Sequence, residues 1–230
     1  MAHRTEDIAW AFRGQAGYCD SLGSPLWADQ MRRAAEDIEC GGPIGQIVAG
    51  WSGDLKLGAL ALRFFGGLHY LALAGRAPAL ARQLPSAGGT PDGRLWPALL
   101  AAVGDNAQLL AHAIQSPPQT NEVGRSAVLL GGFLRIAARF PFALRLREVG
   151  ASAGLNLCWD RFAYALGSHR WGREDSPLSL AAEWRGAAPD LSAPVTVIDR
   201  RGCDQRPIDV ADPMRGCGCR PMSGPTRRDA

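Results

Sequence analysis

Residues 142–156 constrain the fold more than any other stretch of this chain. Phe142-Ala143-Leu144-Arg145-Leu146-Arg147-Glu148-Val149 is short, largely apolar, and bounded by Pro141 and Gly150, the pattern of a β-strand. Gly150-Ala151-Ser152-Ala153-Gly154 follows at once, five small residues in a row. Small residues let a backbone turn sharply and approach a ligand closely. Leu155-Asn156-Leu157 then predicts a helix start, whose N–H groups would point at whatever occupies the turn. Strand, glycine turn and helix together predict the ligand-binding loop of a Rossmann-like domain.

Three chemistries use such a turn. A dinucleotide fingerprint needs G-x-G-x-x-G, but Ser152 stands at its second glycine and Leu155 where the third belongs. A nucleophile elbow needs G-x-S-x-G, which residues 150–154 satisfy literally, with Ser152 as the nucleophile. Its base would be a downstream histidine, and His169 alone follows, in a Gly/Arg-rich stretch. A class I methyltransferase loop needs an acid two residues before the first glycine, then a G-x-G-x-G turn. Glu148, Gly150, Ser152 and Gly154 fit it with one glycine replaced by serine. A tight turn that binds nothing stands beside all three.

The rest of the chain divides around this turn. Ser24-Pro25 reads as a capped helix start, and Gly41-Gly42-Pro43 as its stop. Further helical patterns span roughly 44–51, 57–74, 77–84, 95–115 and 120–139, separated by Pro and Gly clusters. No strand-like alternation precedes residue 140. Residues 1–138 are thus expected to form a helical domain and 139–213 the opening part of an α/β domain. Val195-Thr196-Val197-Ile198 supplies a second β-branched strand.

Composition narrows the partners. Four arginines against Asp229 in residues 214–230 carry the whole net charge of +3, so the body is neutral and offers no nucleic-acid footprint. Lys56, Arg63 and His69 interrupt the most apolar stretch, which reads as a buried helix and not a membrane span. With no signal-peptide pattern, a cytoplasmic location is the default expectation. None of the six cysteines forms a C-x-x-C pair, so free thiols are expected and no metal site.

Other polar residues stand near the turn in sequence. Thr120 or Asn121 is expected to cap the helix leading into the strand. Asn121, Glu122 and Arg125 would fall within one to two turns of it. An amide, an acid and a guanidinium there could hold the amine and carboxylate of a methionine moiety. A cap with a salt bridge accounts for them equally well. His69 reads as a satisfied core histidine. Asp204 and Asp209 follow the second strand, where α/β domains place ligand groups or simple turns. Asp160 comes too soon after the loop to be a ribose-binding acid.

Residues 146–157 resemble the signature of the bacterial family called domain of unknown function 2332. Ser24-Pro25-Leu26, Gly66-Gly67-Leu68-His69, Leu73-Ala74-Gly75-Arg76-Ala77-Pro78 and Gln119-Thr120-Asn121-Glu122-Val123-Gly124-Arg125 are similar to it as well. So are Arg201-Gly202-Cys203-Asp204 and Pro207-Ile208-Asp209-Val210, and the likeness runs from residue 8 to about 213. The resemblance implies a Rossmann-like half similar to class I methyltransferases, and no established activity. From the loop and the segment before it we expect S-adenosylmethionine as cofactor, a small-molecule ligand, and Glu148, Gly150, Ser152, Gly154, Asn156, Asn121, Glu122 and Arg125 around the cofactor. No catalytic residue is assigned. The resemblance also implies that members are longer and continue with a Trp-Pro-Asp-Gln segment. GC-rich codons written for residues 215–228 yield such a segment when read from the third base. Residues 214–230 are therefore expected to be an aberrant, frameshifted tail, and this chain to be incomplete and inactive.

Overall fold

The computed structural model describes residues 3–118 and 121–208. The chain forms two compact units that divide between Pro118 and Gln119. The change in sequence pattern put the division at residue 138. The helix before the first strand therefore belongs with the strands, because its apolar stripe packs on their core.

The first unit is helical, as expected. It contains α1 (Thr5–Ser21), α2 (Pro25–Glu39), α3 (Pro43–Val48), α4 (Leu60–Leu73), α5 (Pro78–Ala81), α6 (Leu95–Asp105) and α7 (Ala107–Ala113). The sequence pattern gave no bounds for α1, whose buried face is Ile8, Ala9, Phe12 and Ala16, half of it alanine. Ser24 stands at the start of α2 but caps with its backbone only. The single helical pattern over 95–115 breaks at Asn106, whose side chain bonds back to Ala102 O at 3.0 Å. Phe12, Trp27, Phe64 and Phe65 form the aromatic centre of the core, with ring centroids 5.6 to 6.3 Å apart. His69 is buried there and shares a 2.8 Å hydrogen bond with Ser86, as a core histidine does.

The second unit is mixed α/β. It contains α8 (Ser126–Arg139), β1 (Leu144–Val149), β2 (Ala163–Leu166), β3 (His169–Trp171), β4 (Ser179–Ala182) and β5 (Val197–Cys203). Leu130 and Leu134 of α8 are fully buried against Leu146, Trp159, Phe162 and Tyr164. Trp159 is the centre of this core, stacked on Phe133 at 4.6 Å and beside Trp171 at 5.9 Å. Strands β3-β2-β4 form a small mixed sheet, and β1 pairs with β5 in parallel. Parallel neighbours need a long crossover, which the small sheet and its loops supply.

Two elements differ from the sequence expectation. The strand expected at Val195–Ile198 is shifted: β5 starts at Val197 and runs on to Cys203 through Asp199, Arg200 and Arg201. Cross-strand pairing accommodates them: Arg147 on β1 meets Asp199 at 2.6 Å. The expected helix after the glycine turn is instead a 3-10 stretch, Asn156–Arg161, interrupted at Cys158. Its residues favour helix weakly, and packing dictates their positions: Trp159 goes into the core and Asp160 to Arg200, 2.5 Å away. Residues 214–230, with the frameshift expectation attached to them, lie outside the described residues, as does Asp209. Among the described residues no helix is long and apolar enough to cross a membrane, and the described cysteines are free.

Trp159→Ala should destabilise the second unit by about 3–5 kcal/mol, as for other buried tryptophans. Val128→Ala, on the exposed side of α8, should change it by no more than about 0.5 kcal/mol. Denaturant unfolding followed by tryptophan fluorescence compares the two.

Candidate functional site at the carboxyl ends of β1 and β5

The turn after β1 alternates into the left-handed region at Gly150 (φ 72°), Ser152 (φ 53°) and Gly154 (φ 71°). Glycine adopts such angles freely, whereas Ser152 is strained by them. The turn folds over the end of β5. Cys203 O accepts the N–H groups of Gly150 (2.8 Å) and Ala151 (3.1 Å). The Asp204 carboxylate accepts Ser152 N–H at 2.8 Å, and Ala151 O accepts Gly154 N–H at 2.7 Å. Gly202 makes this closeness possible: a Cβ there would lie 2.5 Å from the Ala151 Cβ.

A second segment closes on the turn from the start of α8. Asn121 donates its side-chain amide to Ala151 O (2.9 Å), to Gly150 O (3.4 Å) and to Glu148 Oε1 (3.3 Å). Asn156, 3% exposed, donates its own amide to Asn121 Oδ1 and accepts Ser126 O–H at 2.8 Å. Glu122 instead accepts Gly124 N–H at 2.9 Å and starts a 3-10 turn, Val123–Arg125. The cap is thus Glu122, where the sequence suggested Thr120 or Asn121. Thr120 itself lies outside the described residues. Arg125 is exposed at the end of that turn.

The structure therefore brings Glu148, Gly150, Ser152, Asn121 and Asn156 together, uses the Glu122 side chain to accept Gly124 N–H, and leaves Arg125 exposed. Asn121 points into the turn, so its amide is engaged by protein. Glu148 keeps one resource in reserve. Its Oε2 is buried and has no hydrogen-bond partner among the described residues, while Oε1 faces Asn121. In front of Gly150 there is open space: a Cβ there would meet no heavy atom within 4 Å. Asp204, a turn candidate in the sequence, ties the turn to β5, and bonds from the Arg206 and Ser152 N–H groups hold its pKa below the usual carboxylate value. Gly202 and Ser126 were invisible as site residues, since nothing in a one-dimensional pattern marks a close approach between distant segments. Beneath the turn, burial raises the pKa of Tyr164, whose hydroxyl donates to Trp159 O at 2.6 Å.

The arrangement suits some ligands better than others. The N–H groups of Gly150, Ala151, Ser152 and Gly154 are all spent inside the protein, so they form no cradle for a pyrophosphate. The short, broken 3-10 stretch adds no helix dipole of consequence. Ser152 bonds through its backbone, and His169 is exposed on β3. Among the described residues no three His, Cys, Asp or Glu side chains converge as metal ligands.

Fold and site define a mixed α/β protein with a glycine turn at the carboxyl ends of two parallel strands. The chain belongs to the bacterial family described as "Uncharacterized protein conserved in bacteria (DUF2332)", whose model matches residues 9–217. No curated protein and no solved structure matches it.

Two outcomes follow from this geometry. Gly202→Val should push the turn off β5, and amide exchange at Gly150 and Ala151 should rise while the α8 core stays protected. The Asp204 tie should also depend on pH. A carboxylate with a depressed folded-state pKa stabilises above its unfolded value, about 3.9, and loses that contribution as pH falls through the folded value. Protection of the Ser152 amide should therefore fade in acid below about pH 4, and Asp204→Asn should remove that pH dependence.

Proposed function

We propose that the turn at residues 148–156 binds S-adenosylmethionine, and that the second unit is a Rossmann-like, methyltransferase-like domain with a small-molecule substrate. The observation that carries this reading is the buried Glu148 Oε2, without a partner among the described residues, two residues before the side-chain-free Gly150. An orphaned buried carboxylate oxygen is costly unless a ligand supplies a donor. S-adenosylmethionine brings an ammonium, hydroxyls and a sulfonium charge, all favourable to an acid. Bound there, it supplies a transferable methyl group. The position agrees too, because parallel α/β sheets bind ligands beyond the carboxyl ends of their strands. This chain's residues would then bind and orient: Glu148 as acceptor, Gly150 and Gly154 as the side-chain-free wall.

A serine hydrolase is the second reading, favoured by the left-handed Ser152, since an elbow nucleophile sits on a strained turn. Among the described residues no base bonds its hydroxyl; the Ser152 bonds there run through its backbone. A non-catalytic binding module would use the same Glu148 acceptor and differ only in transferring nothing.

Titration calorimetry with S-adenosylmethionine or its demethylated product should show saturable binding, abolished by Gly150→Val, whose side chain would fill the open space. Absence of heat and of a thermal shift at millimolar ligand would refute the reading. A fluorophosphonate probe should leave Ser152 unlabelled, and covalent labelling would promote the hydrolase.

A further inference from the structure

Each link in the chain Ser126, Asn156, Asn121, Glu148 is donated in the same direction, while side bonds run from Asn156 to Glu122 O and from Asn121 to Gly150 O and Ala151 O. Ser126 O–H donates to Asn156 Oδ1 at 2.8 Å. The Asn156 amide donates to Asn121 Oδ1, and the Asn121 amide donates to Glu148 Oε1 at 3.3 Å. Each asparagine accepts at its carbonyl and gives from its nitrogen. Such a series polarises cooperatively toward its acceptor end. Its acceptor end is the carboxylate with the free oxygen.

We infer that Asn156 is a positioning residue that acts on the ligand site through Asn121, fixing the Glu148 carboxylate so that Oε2 is presented to the ligand. Asn156 is too buried to touch a ligand itself, and Ser126 is fully buried behind it. Its second donor bond, to Glu122 O at 3.5 Å, holds it in one orientation. Together with Ala151 O, which takes the Asn121 amide at 2.9 Å, that orientation sets which end of Asn121 faces Glu148. If Asn121 turned over, its carbonyl would face the carboxylate, oxygen against oxygen. The ligand group that meets Oε2 must then be an N–H or O–H donor. An ammonium or a ribose hydroxyl fits, and a phosphate does not. This inference rests on the ligand-binding reading of the same turn, and its test separates the two.

Asn156→Asp keeps the side-chain size and removes the N–H that Asn121 Oδ1 needs. The inference expects it to weaken S-adenosylhomocysteine binding by about tenfold, the scale of one charge-assisted bond. In a Glu148→Gln background the same substitution should have little further effect, because it acts through the carboxylate. Independently of any ligand, the Asn121 side-chain amide resonance in the full chain should move in Glu148→Gln and in Asn156→Asp. Asn156→Ser gives the same reading where Asn156→Asp does not fold. Additive losses in the two backgrounds, or an Asn121 resonance that responds to neither change, would overturn the inference. A responsive resonance with no binding by the unaltered chain would keep the chain of bonds and discard the ligand.

Discussion

The carbonyl of Cys203 accepts two consecutive N–H groups, from Gly150 and Ala151, and that shared acceptor fixes where the chain turns after β1. The rest of the site depends on it. It holds the carboxyl ends of β1 and β5 level, so that Glu148 stands opposite Gly202 and Val149 opposite Cys203. It demands a residue without a side chain at 202, and it brings Asp204 under the Ser152 amide. It also turns the carbonyls of Gly150 and Ala151 toward the Asn121 amide. A turn built this way spends its donors on itself and leaves a carboxylate oxygen without a partner among the described residues.

Such a site is poor economy for stability alone. A non-glycine residue in the left-handed region costs of order 1 kcal/mol. An unpaired buried acceptor adds about 1–3 kcal/mol. Departures from locally favourable structure tend to gather where function compensates for them. Here the strained Ser152 and the unpartnered Glu148 oxygen lie within five residues of one another.

Much of this was legible in the sequence, through short-range pattern. A strand bounded by Pro141 and Gly150, a turn of small residues and a preceding amphipathic helix all formed where expected, within a few residues. Glu148, Gly150 and Ser152 were marked by the spacing of acid and small residues, Asn121 by its place at a helix start, and they meet. The failures have one physical cause, tertiary contact overriding local preference. Strand β5 carries Asp199, Arg200 and Arg201 because Arg147 and Asp160 await two of them across the fold. The helix after the turn gave way to a broken 3-10 stretch because Trp159 is drawn into an aromatic stack. Asn121 and Asn156 were marked on either side of the strand and turn, and in the structure their amides bond protein groups. The unit boundary moved from residue 138 to 118 because the apolar face of α8 matches the strands' core.

The central claim, that the Glu148 oxygen and the Gly150 face receive a ligand rich in hydrogen-bond donors, is most directly tested by amide chemical-shift mapping of the chain during addition of S-adenosylmethionine. The account predicts saturable shifts at Glu148, Gly150, Ser152 and Gly154, with smaller ones at the Asn121 side chain and none in the helical unit. Shifts absent from the turn, or confined to α1–α7, would contradict it.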